Sequence, residues 1–122
     1  YKAPWVGGEN FPAPKWPGGE HFGQVWDRRR LEGHYDGWAK LFEQGIGVHC
    51  GEGGCFSETP HKVFIAWFRD VLEVLTSLGI GYALWNFRGA FGILDSRRKD
   101  VKYKDWHGHM LDEELLKLLQ LH

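Results

Sequence analysis

Hydrophobic positions recur at helical spacing in three stretches of this chain. Over residues 27 to about 43, Leu31, Tyr35, Trp38, Leu41 and Phe42 fall on one face at intervals of three and four. Gly45 follows where a left-handed helix cap is expected. A broader stripe comprises Val63, Phe64, Trp67, Phe68, Val71, Leu72 and Leu75, and continues to Leu78. Thr59-Pro60 gives its start, because proline suits the first helical position, and Gly79 closes it. A third, shorter helix is expected from Asp112, a good N-cap, to about residue 120. Leu111 and Leu116 are spaced for a hydrophobic staple across its start. Short apolar strands are expected at 46–50 and 80–85, each directly after one of the first two helices.

The two helix–strand joints echo each other, Gly45-Ile46-Gly47 and Gly79-Ile80-Gly81. A repeated helix–strand unit predicts α/β architecture with parallel strands, set side by side by right-handed crossovers. The carboxyl ends of the strands, Gly51-Glu52 and Trp85-Asn86, then share one sheet edge, where ligands bind in open sheets and barrels alike. Residues 1–25 follow neither period and are expected to form one long loop, while the chain beyond Phe87 is expected to be irregular as far as Trp106. Two parallel strands need neighbours, with a third strand expected only to end at Tyr1. A complete eightfold barrel takes roughly 250 residues, so a single partial domain over 1–122 is expected. Its unpaired edges predict self-association or pairing with a missing N-terminal part.

Composition narrows the function. Fifteen Lys and Arg against sixteen Asp and Glu give a net charge of -1, and no basic run interleaves with the aromatics. Electrostatic capture of nucleic acid therefore has no support. The apolar runs fall short of the ~18 residues a membrane span needs, so no membrane partner is expected. The hydrophobic fraction of 43% argues against disorder. Seven Trp, four Tyr and eight Phe exceed what so short a core calls for. The surplus suits sugar stacking, since the C–H faces of a pyranose pack on indole rings. The first residue is not Met and no signal-like segment opens the chain, which is expected to be a processed or internal piece. Compartment is not read from it.

Glu52 is the leading candidate for chemistry. It stands at a strand end between Gly51 and Gly53-Gly54, where small neighbours admit a ligand. Trp85, at the matching point of the next strand, would wall the same cleft. His49, Cys50 and Cys55, with His107 and His109, match no strong zinc spacing, and no metal or cofactor is expected. Cys50 and Cys55 are too few for a disulfide framework; a bond across the turn and free thiols both stay open. Asp70, Glu73 and Arg69 are expected on a solvated helix face.

Val48-His49-Cys50-Gly51-Glu52-Gly53-Gly54 followed by Tyr82-Ala83-Leu84-Trp85-Asn86-Phe87 resembles glycoside hydrolase family 5, the cellulase and mannanase group. Gly89-Ala90-Phe91-Gly92-Ile93-Leu94-Asp95-Ser96 and Asp105-Trp106-His107-Gly108-His109 are similar to the C-termini of that family. The resemblance implies the C-terminal portion of a (β/α)8 TIM barrel, from the end of strand six through helix eight, with residues 1–25 as a loop on the active-site side. It implies Glu52 as catalytic nucleophile, Trp85 as floor of the cleavage subsite, and Tyr1 as the hydroxyl that orients the nucleophile. Asn86 and Arg88 would contact sugar hydroxyls, and Trp5 and Trp16 would line the aglycone side. The Asn-Glu of the family's acid/base residue does not occur here, so that glutamate is expected outside this chain.

These expectations describe a retaining β-glycoside hydrolase acting on a β-linked glucan or mannan, outside the cell if it degrades polysaccharide. The alternatives are a non-catalytic carbohydrate-binding or scaffold fragment and, as a remainder, a metallohydrolase using His49, Cys50, His107 and His109.

Overall fold

A computed structural model describes residues 13–122. The first element is a hairpin, β1 (Gly19–His21) and β2 (Gln24–Trp26), lying inside the stretch expected to be loop. A second hairpin, β5 (Lys104–Trp106) and β6 (His109–Leu111), interrupts the irregular stretch beyond Phe87. Both turn through two consecutive left-handed residues, Phe22-Gly23 (φ 48° and 69°) and His107-Gly108 (φ 53° and 82°). Such mirror-image turns usually carry Asn or Asp in the first place. Phe and His there disguise them.

Helix α1 (Arg28–Ala39) starts at Asp27, whose carboxylate accepts the Arg30 N–H at 2.9 Å. It tightens into a 3₁₀ turn, Lys40–Gln44. Of its expected apolar face, Leu31 is buried and Tyr35 packs on the core, but Trp38 and Phe42 stay exposed. Only the Leu31 side of α1 meets α2 (His61–Ser77). Pro60 sits at the N-cap of α2, one place before the expected position.

Helix α2 is the spine of the core. Phe64, Phe68, Leu72 and Leu75 are almost wholly buried, as is Leu115 from α3 (Glu113–Gln120). Each such side chain contributes about 1.5–3 kcal/mol. Ile65 and Val74 are buried as well, because α2 packs against α1, the sheet and α3 rather than against one layer. Asp112 caps α3, with Oδ1 accepting the Leu115 N–H at 3.0 Å and Oδ2 2.7 Å from His61 Nε2. This buried pair ties the starts of α2 and α3 together.

The joint echoed in the sequence is a structural repeat. Gly45 and Gly79 both have φ 73°. Ile46 N–H donates to Leu41 O and Ile80 N–H to Leu75 O, while each glycine N–H bonds a carbonyl three residues back. Both helices thus end in a Schellman motif, which satisfies the last carbonyls and turns the chain sharply.

The strands that follow, β3 (His49–Gly53) and β4 (Gly81–Leu84), run parallel and pair with each other. β3 begins three residues later than expected, because Ile46 is spent on the helix terminus and pairing opens only where Gly81 N–H reaches Val48 O. Glu52 is consequently inside the strand. One face of the pair, bearing Val48, Cys50, Tyr82 and Leu84, packs on the α2 core. Among the described residues the pair has no third strand on either edge.

Candidate active site

Along β3 the side chains begin in regular alternation. Val48 and Cys50 face the core, and His49 is exposed, folded over Gly81, where an added Cβ would come within 2.8 Å of its ring. The alternation then breaks. Cys50 pairs with Tyr82 and Gly53 with Leu84, so Gly51 and Glu52 together face the single residue Ala83. This is a β-bulge, one extra residue in β3. Gly53 is back on the core side, since a Cβ there would press on the Phe68 ring at 3.2 Å. In an even strand Glu52 would share the core face with Cys50. The bulge instead turns it away from α2, and Glu52 is exposed.

The small residues around Glu52 have separate causes. Gly53 is required by Phe68 and by Ala83 O, also 3.2 Å from an added Cβ. Gly54 has φ 125°, which favours glycine. Gly51 faces open space.

The pairing continues one step past β4, where Trp85 N–H donates to Gly53 O at 2.9 Å. Leu84 faces the core, so its successor Trp85 falls on the open face, with 53% of its surface exposed. Glu52 and Trp85 therefore stand at the carboxyl ends of adjacent parallel strands, on the same uncovered side. Asn86 is half-buried, and its Oδ1 is buried without a protein partner. Arg88 is exposed and donates from Nε to Asp95 at 2.5 Å.

Behind this edge lies a residue the sequence did not single out. Arg98, 3% exposed, sends Nη1 to Thr59 O at 2.7 Å and Nη2 to Cys55 O at 2.5 Å. It thereby clamps both ends of the loop that leaves β3. Its guanidinium lies 4.5 Å over the Phe64 ring. Burial lowers its pKa, though an arginine keeps its charge. No periodicity or motif marks a lone arginine in an irregular stretch.

Other expected site residues lie elsewhere. Trp16 is not a platform at the strand ends: its indole donates to Asp70 Oδ2 at 2.8 Å, midway along α2, and packs on the core. Asp70 and Glu73 are not merely a solvated face. Arg28 from α1 bridges both, 3.2 Å from Asp70 Oδ1, and these bonds hold the Glu73 carboxyl below its ordinary range. Tyr1 and Trp5 lie outside the described residues. Cys50 and Cys55 are free thiols, and burial pushes Cys55 up to about 12. Among the described residues no group of three or more His, Cys, Asp or Glu is placed to hold a metal, and no helix is long and apolar enough to cross a membrane.

No family model and no curated protein matches the chain. Solved structures do. A glycoside hydrolase is 42% identical with a TM-score of 0.85, over 94% of this chain and 35% of its own. A hyperthermophilic endo-β-1,4-glucanase solved with substrate shares the fold at 17% identity and TM-score 0.60, over 76% of this chain and 27% of its own. Thermotoga maritima Cel5A in complex with mannotriose does so at 20% and 0.62, over 84% and 30%. This chain thus spans about a third of the length of the structures it matches. It is similar over nearly its whole length to a glycoside hydrolase, and it shares the fold of endoglucanases.

Proposed function

We propose that this chain is the C-terminal portion of a (β/α)8 barrel, from the end of strand six through helix eight, in a retaining β-glycoside hydrolase of family 5. β3 and β4 would be strands seven and eight. The observation that carries this is the bulge, which aims Glu52 away from the helical core and onto the face that Trp85 shares. In such a barrel that face is the mouth of the site.

Glu52 would attack the anomeric carbon as an ionised carboxylate. A second carboxyl group, ~5–5.5 Å away, would protonate the leaving oxygen and then activate water. That glutamate would come from strands outside this chain. Trp85 would stack on the sugar at the cleaved bond, with Asn86 beside it as a hydroxyl contact. Tyr1 would orient Glu52, since a hydrogen bond to the charged form lowers a carboxyl pKa, and Trp5 would line the aglycone side. The substrate class is a β-linked glucan or mannan, supported by fold neighbours solved with glucanase substrate and with mannotriose. The open edges of the β3–β4 pair fit a protein whose remaining strands cover them.

The test is a chimera in which this chain replaces the matching third of the 42% identical glycoside hydrolase. It is expected to hydrolyse β-glucan or β-mannan. Glu52→Gln should lower the rate by about a thousandfold or more, as loss of a covalent nucleophile does. A variant rate within about tenfold of the parent would mean another group attacks.

A further inference from the structure

The loop after β4 and the β5–β6 hairpin meet at a carboxylate that the hydrolysis above does not use. Asp95 stands in left-handed backbone, φ 53°. Its carboxylate accepts the Met110 N–H at 2.9 Å, His109 Nδ1 at 2.8 Å and Arg88 Nε at 2.5 Å. These bonds, the Met110 amide foremost, bring its pKa down to about 2. An ionised carboxylate only accepts, so the proton between Asp95 and His109 belongs to Nδ1. That leaves Nε2 as the outward nitrogen of the ring, an acceptor whenever the imidazole is neutral. Arg88 uses only Nε, so its two Nη groups have no protein partner among the described residues, and its side chain is 63% exposed. One carboxylate therefore fixes a fork of donors from one segment and an acceptor from another. Trp106 is the direct cross-strand partner of His109, so the two share a face of the hairpin. Trp106 is 46% exposed.

We propose that Arg88, His109 and Trp106, with Asp95 as the positioning residue, form an outer subsite for a neutral hexose unit of the glycan, beyond the ring that stacks on Trp85. The subsite rests on the glycoside-hydrolase function proposed above. Pyranose hydroxyls both donate and accept, which matches the Arg88 fork beside the His109 acceptor, and the C–H face of the ring suits the indole.

The 122-residue chain is titrated with cellohexaose and with mannohexaose while the His109 ring nitrogens and the Trp106 indole N–H are followed by NMR. Both sets of signals are expected to shift with one of the two sugars. Asp95→Asn and Arg88→Gln should each weaken binding by ~10-fold, the scale of one charge-assisted hydrogen bond, and Arg88→Lys should restore only part of it. Should Asp95→Asn fail to fold by circular dichroism, Arg88→Gln and Trp106→Ala, both at exposed positions, carry the test. Signals unmoved by millimolar sugar, affinity unchanged in the variants, or binding confined to uronate-bearing oligosaccharides would each overturn the subsite. Hydrolysis by the chimera is read separately. A cleaving chimera whose Arg88 and Trp106 variants bind and cleave like the parent removes the subsite and keeps the enzyme. Shifted signals with an inert chimera do the reverse.

Discussion

Replacing Arg98 tests how the edge behind Glu52 is held. Arg98→Met keeps the length of the stem but removes the fork on Cys55 O and Thr59 O. Each half-buried carbonyl left without its donor costs about 1–2 kcal/mol. Loss of the cation over Phe64 adds about 1 kcal/mol. Against this, a guanidinium whose Nε is buried without a partner returns to water in the unfolded chain, and removing that burden gives back about 1–2 kcal/mol. The balance is a loss of about 2–3 kcal/mol, a large share of an ordinary domain's stability. Arg98→Lys keeps the charge but not the fork, and should lose about 1–2 kcal/mol. Urea unfolding of parent and variants with a shared m-value measures this directly. Amide exchange across residues 54–60 should speed up before the rest of the chain responds. A loss below about 1 kcal/mol in Arg98→Met, with exchange in that loop unchanged, would refute the clamp.

Two further outcomes follow from protonation. The Asp95 pKa is lowered to about 2 by the Met110 amide, His109 and Arg88. Its stabilising effect is therefore complete above the unfolded value of about 3.9 and is lost as pH falls through about 2. Carbon-13 titration of its carboxyl should find that low midpoint, and Asp95→Asn should flatten the stability curve between about pH 4 and 2; an ordinary midpoint would contradict the three-donor geometry. Cys55, raised to about 12 by burial, should resist alkylation at pH 8 in the native chain and react in urea. Fast native labelling of Cys55 would show that the loop opens.

Much of the architecture was legible because it is periodic. The α2 stripe, the Asp112 cap and the twin Gly-Ile-Gly joints each follow from local rules, and local rules suffice to run β3 and β4 side by side. The two hairpins escaped because Phe22 and His107 occupy turn positions that seldom hold such residues. Trp16 was misplaced for a different reason. An aromatic ring in an aperiodic segment has no face to count, and only the partner across 54 positions, Asp70, fixes where it goes. Arg98 and Asp95 share that property, since every bond that gives them meaning is made to another segment. Glu52 was singled out from its glycines and its place at a strand end, but the direction of its side chain depended on a register irregularity that no spacing rule reveals.

That irregularity has an evolutionary and engineering consequence. Most positions on a strand tolerate trading one residue for another far better than losing one, but the bulge is an exception. Deleting Gly51 would set Glu52 directly after Cys50 and opposite Ala83, so plain alternation would keep Cys50 and Gly53 on the core face and Glu52 on the open one. Gly51 is the one unit of length that this stretch can shed without turning the acid over.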